Sequence, residues 1–329
     1  MRKHILSSLA TLGMVFAAVF VGSTAPAQAV TSKNFGPVVI TGIPVTQNPA
    51  LQLVVPLASI DSPALAAGAN AYVYSELNAS AADQVNLVDN EIRCSGAGAS
   101  NVVMGENILP PTGDPAHQNI KLVTRFLVTA TSPGVISCTL YLRTSSTSVH
   151  VAKETVQGNV RFASYSIPGD VNGVAIQKSL PAGNTVLGST VVAPVLDRVI
   201  PAGYTKVDVV ADMEFHWCST NCTQQFAKAR FALTVTTSGG ASCSSAPVAQ
   251  SDEYVARGVN HAAIPLYTTV IVKPGCTHLH AQVTSTYLSG NVGLVGGAAA
   301  NLTDNTGHTG DLPNHTSAMS HMFALPRTS

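Results

Sequence analysis

Two pairs of stretches in this chain follow the same pattern in the same order, and an internal repeat of that size limits the fold more than any other feature of the sequence. VVPLASIDSPALAAGANAYVYSELN, from Val54, and VVAPVLDRVIPAGYTKVDVVADME, from Val191, both run from paired valines through Pro and Asp to an Ala-Gly turn and into a strand. LVTRFLVTATSPGVISCTLYLRTSS, from Leu122, and LYTTVIVKPGCTHLHAQVTSTY, from Leu266, both give a β-branched strand, a Pro-Gly turn and a Cys-Thr step into the next strand. A further cysteine belongs to each half, Cys94 in the first and Cys243 in the second. The offsets are 135 residues from Gly68 to Gly203, 138 from Cys138 to Cys276 and 149 from Cys94 to Cys243. A nearly constant offset predicts tandem copies of one domain, over 30–168 and 169–329, with SIPGDVNG, Ser166 to Gly173, as the linker.

Each copy reads as short strands bounded by Pro and Gly turns, and no stretch after residue 30 sustains a helical period over three turns. In SPALAAGA, Pro63 opens and Gly68 closes a space for one helical turn at most. The expected fold is therefore all-β: tandem disulfide-stapled β-sandwich domains, Ig-like or jelly-roll-like.

The first 29 residues predict the compartment. Arg2, Lys3 and His4 precede an apolar run from Ile5 to Val21 and the small-residue pattern Ala27-Gln28-Ala29, the layout of an export signal cut after Ala29. The run is at the short end for a spanning helix and leads into a cleavage pattern, which favours a released, secreted protein over an anchored one. Removal of the signal leaves 15 basic residues against 17 acidic ones, a net charge near −2. Nothing in that balance calls for nucleic acid or, after cleavage, for a membrane surface.

Six cysteines in an exported chain predict three disulfides. The repeat selects Cys94 with Cys138 and Cys243 with Cys276, one bridge per copy, each worth about 4 kcal/mol by loop closure. Cys218 and Cys222, in HWCSTNC, remain for each other and close a loop worth about 2 kcal/mol. A redox pair wants two intervening residues, and a zinc site wants a second ligand pair at similar spacing; the sequence has neither context. VDVVADMEFHW alternates, with Val207, Val209, Ala211, Met213, Phe215 and Trp217 on one face and Asp208, Asp212, Glu214 and His216 on the other, Val210 being the exception. AKARFALTV alternates after it, so the two predict a hairpin in which paired numbers sum to 440: Val209 opposite Phe231, Val207 opposite Leu233, Ala211 opposite Ala229, Asp212 opposite Lys228. Asn221 would take the left-handed position of its three-residue loop.

Catalytic motifs are sparse: the sequence has no HExxH, no G-x-S-x-G, no phosphate-binding loop and no EF-hand calcium loop. With 5% aromatics and one Trp, assigned to the core, no sugar-stacking platform stands out. LPPTG at Leu109 and the terminal LPRTS imitate a wall-sorting signal but lack the apolar tail that follows one. The expected function is a secreted, non-catalytic binding or structural protein without a cofactor, meeting an extracellular partner or itself through exposed strand edges. The alternative is a copper- or zinc-binding protein, since THLH places His278 and His280 at even spacing behind Cys276, where Leu140 and Leu142 follow Cys138 in the first copy. The tail adds His308, His315, Met319, His321 and Met322, and Asp304, Asn305 and Asp311 form an irregular calcium-type set. An unbroken strand from Cys276 would turn both histidines inward; a bulge after the cysteine would turn them to solvent, and the outward arrangement is the expectation. A hydrolase is the third reading. Four sequons, at Asn78, Asn221, Asn301 and Asn314, offer glycosylation sites if the host uses them. A chain ending near Ser166 is expected to fold alone and melt cooperatively; a molten product in calorimetry would mean that the halves share one core.

Overall fold

Among the described residues, alternating side chains set nineteen strands and leave room for little else. The computed structural model describes residues 30–110, 113, 118–146, 151, 153–165, 176–180, 183–200, 202–303 and 314–327. Residues 1–29, expected to be an export signal, the stretch Ser166–Gly173, expected to be a linker, and Asp304, Asn305, His308 and Asp311 lie outside them. The first half contains β1 (Val30–Thr41), β2 (Leu53–Asp61), β3 (Asn70–Ala81), β4 (Val85–Gly96), β5 (Ser100–Ile108), β6 (Asn119–Thr129), β7 (Ile136–Ser145) and β8 (Lys153–Tyr165). The second contains β9 (Ile176–Ser179), β10 (Gly183–Leu187), β11 (Thr190–Val199), β12 (Lys206–His216), β13 (Phe226–Ser238) and β14 (Ala249–Ala256). It continues with β15 (Ala262–Ile271), β16 (His278–Gly290), β17 (Gly293–Thr303), β18 (Asn314–Ala318) and β19 (His321–Arg327). Among the described residues the only helical element is a 3-10 turn at Pro49–Leu51.

The strands form two β-sandwiches. In the first, an antiparallel sheet β1-β8-β3-β6 faces β2-β7-β4-β5. In the second, β11-β16-β13-β14 faces a sheet centred on β12, with β15 on one side. On its other side β12 meets β17 at Phe215 and His216 and β19 along Lys206–Asp212. The neighbour order β10-β17-β12-β15 matches β1-β8-β3-β6, and β11-β16-β13-β14 matches β2-β7-β4-β5. The stretches that repeat in the sequence thus hold corresponding places: β2 and β11, β3 and β12, β6 and β15, β7 and β16. A parallel pairing of Ala318 with Val102 joins β18 to β5 across the two sandwiches.

Each sandwich closes over its own apolar residues. Val73, Ile92, Phe126 and Leu140 meet near the disulfide of the first, and Leu77, Leu122, Leu142 and Val156 fill its other end. In the second, Phe215 of β12 and Phe231 of β13 meet edge to face with centroids 5.5 Å apart, among Val209, Leu233, Leu279 and Val283. Each such side chain gains about 1.5 to 3 kcal/mol on burial. The disulfides are Cys94–Cys138, Cys218–Cys222 and Cys243–Cys276. Cys94 and Cys138 are direct neighbours on β4 and β7, and Cys243–Cys276 ties the corresponding strands β13 and β16 at their ends.

One detail differs from the expectation, and another agrees with it through a different cause. β12 and β13 are not a hairpin but lie in opposite sheets, so the Cys218–Cys222 loop turns a corner between layers and the register summing to 440 does not occur. The cross-strand test could not separate these cases, because two alternating strands that face each other across a core also place apolar against apolar. Asn221 nevertheless has φ 54°, the left-handed conformation expected of it. Trp217 is half-buried at the rim of the core. His278 and His280 face outward as expected, but a turn and not a bulge sets the parity after Cys276. The residues up to Thr277 form a turn, β16 starts at His278, and Leu279, Ala281 and Val283 take the inward side. Leu279, and not His278, is therefore the inward counterpart of Leu140.

The first sandwich also buries an acid. Glu154 of β8 is fully buried, accepts a hydrogen bond from Thr144 Oγ1 at 2.9 Å through Oε2, and has no hydrogen-bond partner at Oε1. Burial pushes its pKa up to about 7, against the Thr144 hydrogen bond. A raised acid costs stability as the pH climbs from its unfolded value to its folded one, here from the ordinary glutamate range to about 7. Glu154→Gln is expected to leave stability at pH 5 nearly unchanged and to raise it at pH 8 by about 1 to 3 kcal/mol, read by denaturant unfolding at both pH values.

Candidate functional site

The outward face of β12 carries Asp208, Val210, Asp212, Glu214 and His216, a polar stripe that period-2 alternation assigns to solvent. The β5–β6 side of the first sandwich lies across it, and the three carboxylates and Val210 on that stripe are all buried. Each finds a partner of its own kind. Asp208 accepts from Tyr267 Oη at 3.0 Å and Thr269 Oγ1 at 2.7 Å and pairs with Arg327. Val210 packs with Leu127, Phe323 and Leu325, and Tyr72 meets the Phe323 ring at 5.6 Å. Asp212 accepts from the Arg125 backbone N–H and from its Nε, each at 2.9 Å, and pairs with its Nη2. That guanidinium also donates to Ala211 O and Leu266 O at 3.2 Å, while His321 Nε2 lies 2.5 Å from Arg125 O.

Glu214 and His216 form the end of the stripe. Phe215 pairs with Ala262 in the β12–β15 ladder, so the next residues along, His216 and His261, are cross-strand neighbours with ring centroids 4.9 Å apart. Glu214 Oε1 is 2.6 Å from His261 Nδ1 and 3.1 Å from His216 Nε2, the latter out of hydrogen-bond alignment. The first sandwich holds this group in place. Asn107 Oδ1 accepts from the backbone N–H of both Asn260 and His261 at 2.7 Å, and Gly105 N donates to Glu214 Oε2 at 3.4 Å. Gly105 is required here: a Cβ would stand 2.5 Å from Asp89 Oδ1 and 2.9 Å from His261 Nδ1.

The electrostatics follow from burial and pairing. Burial alone would lower the His261 pKa, but the Glu214 carboxylate beside it outweighs that and raises it. Glu214 is held below the ordinary carboxylate range although burial pushes the other way, because His261 and His216 favour its charge. His216 is lowered by burial. Asp89, buried beside them, is pushed up to about 7, with Glu214 and Glu91 adding to desolvation and His261 and Arg143 opposing it. A second buried group lies on β4 and β7: Glu91 Oε2 is 3.2 Å from Arg93 Nη2 and 3.3 Å from Arg143 Nε, and the Arg93 guanidinium sits 4.2 Å from the Tyr141 ring centre.

The residues singled out from sequence lie elsewhere. His278 is exposed on the outer face of β16, its Nδ1 2.9 Å from Thr277 Oγ1. His280, on the same face, has Nδ1 2.5 Å from Asp197 Oδ1 and Nε2 3.2 Å from Gln282 Oε1. The Asp197 contact raises its pKa. Although the Asp197 carboxylate adjoins His280, His278 and His280 belong to no group of three metal-ligating side chains with ligand atoms all within 4.8 Å among the described residues. Of the tail, Met322 is a core residue and His321 a buried one, its Nδ1 2.6 Å from Met319 O. His308 and the side chain of His315 lie outside the described residues. Glu214 and His216 entered the sequence reading as a solvent face, and Asp89 and His261 not at all. The available signal was the density of ionisable groups on one strand face in a chain only 10% charged.

Arg125 and Asp212 are the charged pair most completely enclosed between the sandwiches. Either Arg125→Ala or Asp212→Ala is expected to cost about 3 to 5 kcal/mol of unfolding free energy, since each strands a buried charge. The double variant should cost clearly less than the two losses added, a coupling that a double-mutant cycle of denaturant unfolding reads directly.

No protein family and no curated protein matches the chain. Among solved structures it is similar to that of the infectious bursal disease virus Gt strain, at 10% identity over 94% of this chain and 49% of that one, with a TM-score of 0.28. It is also similar to PNGF-II, at 6% identity over 78% of this chain and 65% of that one, TM-score 0.28. A third similar structure is the N-terminal CBM22-1-CBM22-2 tandem domain of Paenibacillus barcinonensis Xyn10C, at 11% identity over 79% of this chain and 93% of that one, TM-score 0.23. The chain therefore spans about half the length of the virus chain and 65% of PNGF-II.

Proposed function

We propose that the chain is an exported, non-catalytic binding or structural protein built from two copies of one disulfide-stapled β-sandwich, and that it binds through the outer face of β11-β16-β13-β14. The observation that carries this reading is a contrast between two faces of the second sandwich. The face around β12 is covered by the first sandwich, whereas on the opposite face the outward side chains of β13 and β16 are mostly half-buried and those of β11 include exposed valines. Its rows are broad and nearly neutral: Val192, Thr284 and Ala232 lie side by side, and so do Val195, Gln282 and Thr234. Val192, Val195 and Val199 on the edge strand β11 are 48%, 37% and 59% exposed, enough apolar surface to contribute to association. Asp197, Arg198 and Pro194 on the same strand keep its backbone from templating indiscriminate strand addition, which favours contact through the side-chain face. A neutral partner surface, or a second copy of this face, suits that chemistry.

The test is sedimentation velocity of the mature protein over a wide concentration range, beside a Val195→Lys, Val199→Lys double variant. The expected result is reversible self-association that the variant weakens at least tenfold while its melting temperature stays within about 2 °C of the parent, as exposed substitutions do. A protein that stays monomeric throughout would rule out the second copy as partner. Turnover of any substrate that vanishes in Glu214→Gln would overturn the non-catalytic reading.

A further inference from the structure

We infer that Glu214, His216 and His261 form a binding site for one divalent transition-metal ion of the zinc class, seated where the two sandwiches meet. The inference is independent of the β11-β16-β13-β14 face.

The geometry begins in the sequence. Glu214 and His216 are two apart on a strand and share a face, and the β12–β15 register sets His261 directly across from His216. Three ligand atoms, one carboxylate oxygen and two imidazole nitrogens, lie within 4.8 Å of one another. An ion about 2.0 to 2.2 Å from each of its ligands in a tetrahedral site holds the ligand atoms roughly 3.4 Å apart, a spacing that side-chain adjustment from 2.6 and 3.1 Å would reach. Two imidazoles and one carboxylate suit zinc and its neighbours; calcium and magnesium would call for a shell of oxygens. The fourth position would fall to water or to a ligand from outside.

A second observation points the same way. His216 is nearly enclosed, yet its Nε2 is buried without a hydrogen-bond partner although Glu214 Oε1 is only 3.1 Å away. A buried ring nitrogen left in that state is costly, and coordination would satisfy it. The supporting contacts are those a metal site uses to aim its ligands. Ser320 Oγ accepts from Glu214 N at 2.9 Å, Gly105 N holds Glu214 Oε2, and Asn107 fixes the backbone of His261. Because Gly105 and Asn107 belong to the first sandwich and the ligands to the second, occupancy would also strengthen their docking. The side chains of His216 and His261 keep 12% and 19% of their surface exposed, which leaves a way in for the ion.

The experiment uses mature protein stripped with a chelator, dialysed, and titrated with zinc chloride, with bound metal counted by elemental analysis and stability followed by thermal unfolding. The expected result is one zinc per chain and a melting temperature raised by about 3 °C or more at saturation. His216→Ala, which removes a side chain that makes no hydrogen bond through Nε2, should still fold and should bind zinc at least tenfold more weakly. His278→Ala with His280→Ala should leave the response intact. Cobalt chloride added to the unaltered protein should give a visible absorption band that zinc abolishes, a readout that does not depend on any variant folding. The inference is overturned by absence of zinc binding and of the cobalt band, by an unchanged response in His216→Ala, or by loss of the response in the His278, His280 double variant.

Discussion

Burial of the outward face of β12 is the constraint on which the arrangement of this molecule depends. A strand whose inner side chains are Val207, Val209, Ala211, Met213 and Phe215 would, in an isolated sandwich, hold its polar side in water. Here Asp208, Asp212 and Glu214 are withdrawn from it, and an ionised carboxylate taken out of water needs donors. Those donors set the position of everything around them: Arg125 and Gly105 come from the first sandwich, Tyr267, Thr269 and His261 from β15, and Arg327 from β19. The two halves meet where they do because these needs are met together.

Comparison of corresponding strands gives the effect of cover a scale. In the first sandwich β3 occupies the place that β12 has in the second, and its outward side includes Tyr74, Glu76 and Asn78. Glu76 accepts from Tyr74 Oη at 3.1 Å and pairs with Lys121 at 3.1 Å, with the lysine side chain 58% exposed. A pair of that kind is screened and contributes at most about 1 kcal/mol. Asp212 faces Arg125 with side chains 1% and 11% exposed, where loss of either partner leaves a charge with nothing to replace water. The outward face of corresponding strands thus carries a weak surface contact in one half and a structural requirement in the other, and the difference lies in what covers it.

The sequence makes the strands, the sandwiches and the disulfides legible because each rests on local or repeated signals. Alternation sets the strands, and the recurrence of Cys138 at Cys276 and of Cys94 at Cys243 singles out one pairing among many. Partner choice was less accessible. β12 and β13 alternate in a way that suits a hairpin and a face-to-face pair equally, and the test that Asp212 and Lys228 seemed to pass was met by Arg125 instead. The outward placement of His278 was legible but its cause was not, since the turn ending at Thr277, and not a bulge, shifts the inward side by one residue relative to Leu140. The cluster of Glu214, His216 and His261 was hidden for a related reason. A strand pattern reports two faces but not what lies beyond them, and only the contact between the halves makes the outer face of β12 an interior.

Buried charge is a poor source of stability, since desolvation offsets most of what pairing returns, so the junction's ionic character calls for another account. The apolar part of the contact, Val210, Leu127, Phe323, Leu325 and the ring of Tyr72, is small and non-directional and would tolerate several ways of sliding one sandwich over the other. Arg125 would not. Its guanidinium is satisfied only when the Asp212 carboxylate, Ala211 O and Leu266 O converge on it, and those three groups come from two adjacent strands of the second sandwich. A slip of two residues along β12, the smallest that keeps the same side chains outward, moves the pair by roughly 6.5 Å; it sets Arg125 against Val210 in one direction and Glu214 in the other, and in both it takes the Arg125 donors from Asp212. The same slip would take Asn107 away from the backbone of His261 and Gly105 away from Glu214. The apolar residues make the two sandwiches adhere, and the charged ones limit them to a single register, the one in which Glu214, His216 and His261 stand together.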